Sequence, residues 1–360
     1  MQIDKVFIDR CFQLAEMGAG KVSPNPMVGA VVVVDNKIIG EGYHKKYGSA
    51  HAEVNAINSV TDKELLKKAT VYVSLEPCSH YGKTPPCAKL LIDSKIKKCV
   101  IANHDPNPKV AGKGIKMLQD AGIEVICGVE EQKGRFLNRR FFCNQEKKRP
   151  YIILKIAQSK DGYIDINNYN SKKGRETYWI TNDFAKVWVH KMRAENDAFM
   201  VGANTIINDD CQLNTRYYAG KNPIRLVYDR DLTIPMTKYF FDNSQKTLIF
   251  NNFRTSIDNL DEVFQKQNTE YVKIHNQSEY LQEILMFLYN IGVSSLVVEG
   301  GRKLLDKFLT QNVWDEVLLF TGAEQFHKGI KAPSIDLRFK KDTIYLANNM
   351  LDIFYNEKAF

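Results

Sequence analysis

The sequence predicts two successive α/β domains. Three observations lead to this prediction: the chain has 360 residues, more than one hydrophobic core usually organises; short apolar strand patterns alternate with helical patterns; and a charged segment that ends in proline, residues 139–150, divides the chain. We interpret that segment as a linker and place the domains at residues 1–146 and 147–360.

Metal-ligand residue types in the first half stand at the ends of predicted elements. His51 and Glu53 open an apolar helical pattern, and the start of a helix is where residues two apart can face a single point. A strand pattern, residues 71–75, stops at a proline directly before Cys78. Two prolines precede Cys87, which begins an amphipathic helix whose positive N-terminal pole favours a thiolate.

These residues predict a zinc site with one ion per chain. Zn²⁺ binds imidazole nitrogen and thiolate sulfur, and three ligands, here His51, Cys78 and Cys87, leave the fourth position for water. Glu53 adds a carboxylate that can carry a proton, which completes the composition of a zinc deaminase site. Each cysteine alone is more often a buried thiol. A fourth ligand from His44 or His80 would make the site structural, but a closed site has no use for Glu53.

The net charge of +8 lies in the first half, where 24 Lys and Arg face 16 Asp and Glu. A deaminase that acts on nucleic acid needs such a charge. An RNA- or nucleotide-acting zinc deaminase with an unrelated C-terminal module is therefore the alternative function. The basic runs contain no interleaved aromatic residues for base stacking, so we expect no nucleic-acid partner.

Cysteine spacing and hydropathy predict the compartment. The seven cysteines follow no regular spacing, which argues against a disulfide framework. The N-terminal residues carry charges where a secretory signal needs an apolar run, and no segment approaches 18 consecutive apolar residues. We expect a cytoplasmic protein with no membrane partner, and we expect it to form a homo-oligomer.

Strand patterns recur through the second half, with helical patterns between and after them. The apolar strands cover residues 151–157, 198–202, 224–228, 246–250 and 295–299. The last strand continues through Gly300 and Gly301 into a helix near Arg302. Such glycines let backbone amides approach a phosphate at a helix N-terminus, although two glycines after a strand also form an ordinary tight turn.

The loop between the two cysteines points to a family. Eight residues separate Cys78 from Cys87, whereas nucleoside and nucleobase deaminases usually place two residues there. Residues 24–33, 76–87 and 105–114 together resemble the pyrimidine deaminase of riboflavin biosynthesis. The resemblance implies a cytidine-deaminase-like three-layer α/β domain.

The same resemblance implies roles for residues of the first domain. The substrate would be 2,5-diamino-6-ribosylamino-4(3H)-pyrimidinone 5′-phosphate, a small phosphorylated pyrimidine. Glu53 would be the catalytic proton shuttle during hydrolytic deamination, with zinc activating the water. Asn25 and His44 would orient the pyrimidine and its phosphate, and Lys83 would supply a cation for that phosphate.

Segments of the second half resemble the reductase domain that follows this deaminase in the bifunctional enzyme. They are residues 154–162, 179–181, 201–210 and 298–301. That domain is similar to dihydrofolate reductase in fold and uses NADPH, which implies reduction of the ribosyl side chain to ribityl after deamination. A non-catalytic relative remains the second alternative, chiefly for this half.

The reductase resemblance also assigns contacts. The expected cofactor-binding residues are Ala157, Trp179, Thr205, Asp209, Gly301 and Arg302. The expected substrate-binding residues are Thr177, Arg193, Leu213, Arg216 and Glu299. The chain departs from the usual pattern at three positions, where Cys211 replaces a proline and Lys160 and Thr177 replace residues that are often Leu and Ser.

Overall fold

The computed structural model describes residues 2–80, 85–107, 111–166, 169–170, 174–175, 179–253 and 268–357. The chain forms two units that separate between Lys147 and Lys148.

The first unit is built on a five-stranded sheet. Its strands are β1 (Gly29–Val34), β2 (Lys37–Tyr43), β3 (Thr70–Val73), β4 (Lys98–Ile101) and β5 (Glu124–Cys127). They lie in the order β2-β1-β3-β4-β5, with β1 antiparallel to both neighbours and β3, β4 and β5 parallel. The helices are α1 (Gln2–Glu16), α2 (Ala52–Ser59), α3 (Cys87–Asp93), α4 (Lys113–Asp120), α5 (Glu131–Leu137) and α6 (Arg139–Lys147).

Helices cover both faces of this sheet. All six residues of β1 are buried, and successive side chains point to opposite faces because the period of a strand is two. Val32 belongs to a core with α2, α3 and α4, including Ala56 and Leu91. Val31 belongs to a second core with α1, including Phe7. The three-layer prediction is confirmed.

The predicted linker is wrong over most of its length. Residues Arg139–Lys147 form helix α6, in which Phe142 and Cys143 are buried. The cluster of charges suggested a solvated linker, but charged residues also occupy the outer face of an amphipathic helix. The guanidinium of Arg135 lies 4.4 Å from the ring centroid of Phe142, which covers the aromatic residue from outside.

The second unit contains a nine-stranded sheet. The strands of the unit are β6 (Tyr151–Gln158), β7 (Tyr163–Asp165), β8 (Tyr169–Asn170), β9 (Gly174–Arg175), β10 (Ala198–Gly202), β11 (Ile224–Tyr228), β12 (Thr247–Asn251), β13 (Thr269–Lys273), β14 (Ser295–Gly300), β15 (Glu316–Thr321), β16 (Ile330–Lys331), β17 (Lys340–Leu346) and β18 (Asn349–Tyr355). Its α-helices are α7 (Asp183–Glu195), α8 (Ala203–Asp209), α9 (Tyr280–Asn290) and α10 (Arg302–Thr310).

The large sheet has the order β13-β12-β11-β10-β14-β6-β15-β18-β17. In this sheet order, every neighbouring pair from β13 across to β15 is parallel, and β18 is antiparallel to both β15 and β17. Two short pairs, β7 with β16 and β8 with β9, lie outside it. The five predicted apolar strands are confirmed, and the C-terminal segment completes the sheet.

No helix in the described ranges is both long enough and apolar enough to cross a membrane.

Arg225 organises the polar part of the second core. Its side chain is fully buried in β11, where a charge is stable only when hydrogen bonds replace its water. Its guanidinium donates to Asp242 Oδ1 at 2.8 Å, Thr247 Oγ1 at 3.0 Å and the carbonyl of Tyr239 at 3.1 Å. This one side chain therefore ties β11 to β12 and to the segment between them.

We expect Arg225→Met to destabilise the second unit by about 3–5 kcal/mol, because it leaves buried acceptors and a carboxylate without their cation. The three tryptophans, Trp179, Trp188 and Trp314, all lie in this unit, so urea denaturation followed by tryptophan fluorescence reports on it. Arg338→Met is the control, because that arginine is exposed and pairs with Asp336; its denaturation midpoint should match wild type. Equal midpoints for both variants would contradict the role of Arg225.

Candidate functional site

The three predicted metal ligands come from three chain segments. His51 is the N-cap of α2, with extended backbone angles of φ −72° and ψ 167°. Its side chain therefore need not point in the direction that a helical backbone would impose. Cys78 lies in the loop after β3, and Cys87 is the first residue of α3. The amide of Cys87 donates to Cys78 Sγ at 3.3 Å, which stabilises negative charge on that sulfur.

The donor atoms converge as a tetrahedral metal requires. His51 Nδ1 lies 3.3 Å from Cys87 Sγ and 3.7 Å from Cys78 Sγ, and all three donors lie within 4.8 Å of one another. A zinc ion with bonds of about 2.0 Å to nitrogen and about 2.3 Å to sulfur holds such ligands about 3.6 Å apart. The residues therefore fit zinc. Across the described ranges, no other group of three such residues meets this distance.

Hydrogen bonds among the three donors shift their pKa values. A hydrogen bond from Cys87 lowers the pKa of Cys78, and the same bond raises the pKa of Cys87. The pKa of His51 is raised, chiefly because it can donate a hydrogen bond to Cys78. Without a cation, one thiol keeps its proton; a bound zinc ion replaces that proton, because metal ligands must be deprotonated.

Glu53 lies in the first turn of α2, two residues after the histidine ligand. Its side chain is buried, and it is not one of the three clustered donors. Burial, followed by the nearby charge of Cys78, raises the pKa of Glu53 to about 7. A bound cation would favour its charged form instead.

A cavity of about 420 Å³ opens onto Glu53, His51 and Cys78. Asn25 and His44 also line it. The His44 ring lies between two partners: Nδ1 is 3.1 Å from the carbonyl oxygen of Ala50, and Nε2 is 3.2 Å from Asn25 Nδ2. The carbonyl requires the proton on Nδ1, so Nε2 accepts from the amide, and burial lowers the pKa of His44. Lys83 lies outside the described residues.

Further residues line this cavity to which the sequence assigned no role in the catalytic site; His80 was considered only as a fourth ligand of a closed site. They include Glu76, His80, Asp105, Asn107 and Phe141. Burial raises the pKa of Asp105 to about 6. Asp105 and Asn107 lie in the segment 105–114, whose sequence resembles the deaminase family. The sequence therefore pointed to this segment, but it assigned no chemical role to these two residues.

The second unit has a cavity of about 810 Å³ at the carboxyl ends of β6, β10, β11 and β14. This is where open parallel sheets bind ligands. The predicted residues that line it are Ala157, Thr205, Asp209, Glu299, Gly301 and Arg302.

The remaining predicted residues of this unit lie elsewhere. Arg193, Leu213, Arg216 and Trp179 are not among the residues that line the cavity in the described ranges. Leu213 is buried, and Trp179 is 58% exposed with the ammonium of Lys186 4.6 Å from its ring centroid. The exposed Arg216 donates to Asn214 Oδ1 at 2.6 Å. Thr177 lies outside the described residues.

Arg193 nevertheless reaches the cavity wall through an ion pair with Glu299, at 3.2 Å. Burial opposes ionisation of Glu299, but the charges of Arg193 and Lys155 outweigh it and lower the pKa of this carboxyl. Burial lowers the pKa of Lys155, and the negative charge of Glu299 opposes that effect. Lys155 was missed, although a single lysine in the otherwise apolar segment Tyr151–Ala157 was a visible signal.

The turn before α10 fits a phosphate group. Gly301 is the N-cap of α10, and among the described residues only Thr205 Oγ1, at 3.4 Å, lies near the place of a Cβ. Backbone amides at a helix N-terminus attract anions, and the cavity volume suits a large cofactor such as NADPH. Gly300 has φ 113°, which favours glycine, so the tight-turn interpretation also holds.

The guanidinium of Arg302 is less available to a cofactor phosphate than the sequence predicted. Its Nε pairs with Asp306 Oδ2 at 2.6 Å, and its terminal nitrogen NH1 donates to the carbonyls of Lys331 and Ala332. These contacts hold β16 near the start of α10.

Family comparisons agree with both halves. The cytidine and deoxycytidylate deaminase zinc-binding region matches residues 1–103, and the RibD C-terminal domain matches residues 150–323. The riboflavin biosynthesis protein RibD of Aquifex aeolicus is 36% identical over 352 residues, covering 95% of this chain and 93% of the relative. The RibD protein of Bacillus amyloliquefaciens is 38% identical over 335 residues, covering 92% and 88%.

Solved structures show the same arrangement of domains along the chain. The diaminohydroxyphosphoribosylaminopyrimidine deaminase/5-amino-6-(5-phosphoribosylamino)uracil reductase of Thermotoga maritima has a TM-score of 0.84 and 35% identity, covering 98% of this chain and 99% of its own. RibD of Acinetobacter baumannii has a TM-score of 0.86 at 31% identity, with the same coverage. The chain belongs to the RibD family of bifunctional riboflavin biosynthesis enzymes, with a zinc-dependent deaminase domain and an NADPH-dependent reductase domain.

Proposed function

We propose that the first domain hydrolyses the 2-amino group of 2,5-diamino-6-ribosylamino-4(3H)-pyrimidinone 5′-phosphate, and that the second reduces the ribosyl side chain of the product to ribityl. The observation that carries the proposal is the convergence of His51, Cys78 and Cys87 beside Glu53, at the wall of a cavity of about 420 Å³. The Thermotoga maritima relative of known structure is named for these two activities.

In the first domain, His51, Cys78 and Cys87 would hold zinc, which would supply a Lewis acid to activate the attacking water. Glu53 is buried at the cavity wall and stays outside the ligand set, so it is placed to move protons. It takes a proton from the attacking water and delivers it to the ring nitrogen, and it then assists loss of ammonia. The C–O bond forms and the C–N bond breaks at ring carbon 2.

Substrate orientation in this domain falls to Asn25 and His44. The hydrogen bond from Asn25 Nδ2 to His44 Nε2 determines which end of the amide faces the histidine. The Ala50 carbonyl holds the His44 ring in one tautomer, so the pair forms a fixed polar wall. From the sequence we add Lys83 as the cation for the phosphate.

In the second domain, NADPH supplies a hydride to C1′ of the ribosyl group when it is bound. Gly301 and Thr205 would hold a cofactor phosphate at the start of α10, and Ala157 and Asp209 border the same cavity. Arg302 keeps the adjoining loop in place through its contacts with carbonyls. We retain Trp179 as a cofactor contact on the sequence resemblance.

The ion pair of Arg193 with Glu299 forms the substrate side of the reductase site. With Lys155 beside it, the cluster holds two cations and one carboxylate, so it carries a net positive charge toward a phosphorylated substrate. On the sequence resemblance we also retain Thr177, Leu213 and Arg216 as substrate contacts.

We further propose a cytoplasmic homo-oligomer. All seven cysteines are free thiols in the structure, which supports a reducing compartment. Light scattering of the purified protein would measure the number of subunits. The RNA-acting alternative is not favoured, because the relatives match both halves of the chain.

Incubating the full chain with the pyrimidine phosphate should release ammonia without NADPH and oxidise NADPH only after deamination. Ammonia release and the nicotinamide absorbance are followed together. Ammonia release without NADPH oxidation would indicate a non-catalytic second domain. If neither the pyrimidine phosphate nor NADPH were consumed, the proposed function would be refuted.

Glu53→Gln should lower the kcat of deamination by about a hundredfold to ten-thousandfold, because the amide cannot carry the proton. Zinc should remain at one ion per chain, measured by mass spectrometry of the metal, because Glu53 is not among the clustered donors. Reduction of the deaminated pyrimidine, supplied directly, should be unchanged.

The matched control is Glu41→Gln, which removes a carboxylate of the same domain that pairs with Arg10 at 2.7 Å and does not line the cavity. Loss of zinc from Glu53→Gln, or an equal loss of activity in both variants, would contradict the assignment.

Arg193→Met should lower kcat/KM for the reductase substrate by about thirtyfold or more, because it leaves a buried carboxylate without its closest cation. NADPH affinity, measured by calorimetry, should change much less. Lys191→Met, an exposed position on the same helix, is the control. Equal kinetics for both variants would remove Arg193 from the substrate side.

A further inference from the structure

The Glu76 carboxylate accepts an unusual number of backbone hydrogen bonds. Its side chain is completely buried, so its hydrogen-bond partners come from the protein. Oε1 accepts from the amides of Gly114 at 3.0 Å and Ile115 at 3.3 Å, and Oε2 accepts from those of Gly112 at 3.0 Å and Asp105 at 3.3 Å. One side chain thus satisfies four donors on a different part of the chain.

Two of those donors belong to the first turn of α4, whose amides have no partner within the helix. A carboxylate there also faces the positive end of the helix dipole. At Gly114, a Cβ would lie 2.0 Å from the carbonyl oxygen of Pro77, so only glycine allows this approach. Pro77 directly precedes the zinc ligand Cys78, and the start of α4 is therefore packed against the ligand loop.

A third donor, Gly112, is the N-cap of α4, and the fourth, Asp105, lies at the substrate cavity. Asp105, whose amide Glu76 holds, lines that cavity with Asn107. Asp105 Oδ1 in turn accepts from the amide of Asn107 at 2.8 Å. A continuous set of hydrogen bonds therefore runs from the residue beside the ligand loop to two polar side chains at the cavity wall.

We propose that Glu76 is a positioning residue for deamination, which holds Asp105 and Asn107 at the wall of the cavity that contains the zinc ligands. The proposal rests on the deaminase function proposed above. Glu76 also borders the cavity, but its carboxylate is fully buried and accepts backbone amides, so we assign its effect on the substrate to these two residues. A helix cap alone would stabilise the domain and leave substrate affinity unchanged.

The test is Glu76→Gln in the zinc-loaded full chain. Glutamine has the same shape, but only one of its two terminal atoms accepts, and its NH₂ group meets two backbone N–H donors. The start of α4 or the Asp105 segment must therefore give way. The KM for the pyrimidine phosphate should rise about tenfold or more, the factor expected from one hydrogen bond to a charged group, while kcat changes little.

Three measurements separate positioning from general damage. Zinc should remain at one ion per chain, and reduction of directly supplied deaminated pyrimidine should match wild type. Amide hydrogen exchange should accelerate in residues 103–107 and at the start of α4, with α2 unchanged. The control is again Glu41→Gln, which should leave KM and exchange in these segments at wild-type values.

A second variant tests the route of the effect. If Glu76 acts through Asn107, then adding Glu76→Gln to Asn107→Ala should raise KM by much less than it does in the wild-type background. Wild-type KM in Glu76→Gln, or multiplication of the two effects, would overturn the proposal. Failure of the wild-type chain to release ammonia would instead count against the deaminase function, and unchanged exchange in residues 103–107 would overturn the role of Glu76 in either case.

Discussion

The first domain depends on the approach of two cysteine sulfurs and one imidazole nitrogen to within 4.8 Å of each other. Each donor comes from a separate segment, so the segments must be fixed independently of the metal bonds. The N-cap backbone of His51 and the helix start at Cys87 achieve this with ordinary secondary structure. A cation then relieves the repulsion that two thiolates would otherwise exert, and metal affinity becomes part of the folding free energy.

Both cavities lie where parallel strands end. Cys78 follows β3 and Asp105 follows its parallel neighbour β4, while Glu299 and Ala157 lie near the carboxyl ends of β14 and β6. Strands buried on both faces have only their ends free for polar residues. This constraint explains why an apolar strand followed at once by polar side chains identified a site in each half of the sequence.

The sequence predicted what depends on local pattern. His51, Cys78 and Cys87 could be found because the type and spacing of residues specify the chemistry, and the apolar strands could be found from their continuous hydrophobic runs. Helix α6 was missed because a charged run looks alike in a linker and on the outer face of a helix. The sequence also could not predict the exposure of Trp179, because that exposure depends on which elements pack beside the residue.

The two cavities treat buried charge in opposite ways, and the difference follows from the neighbours of each carboxyl. Glu53 has sulfur and burial beside it, which favour its protonated form until a cation is present. Glu299 has Arg193 and Lys155 beside it, whose charges lower its pKa although burial opposes ionisation. A carboxyl that must exchange protons needs the first environment, whereas one that must hold a cationic side chain in place needs the second. The negative charge of Glu299 in turn explains why β6, a strand that is apolar from Tyr151 to Ala157 apart from Lys155, tolerates that lysine.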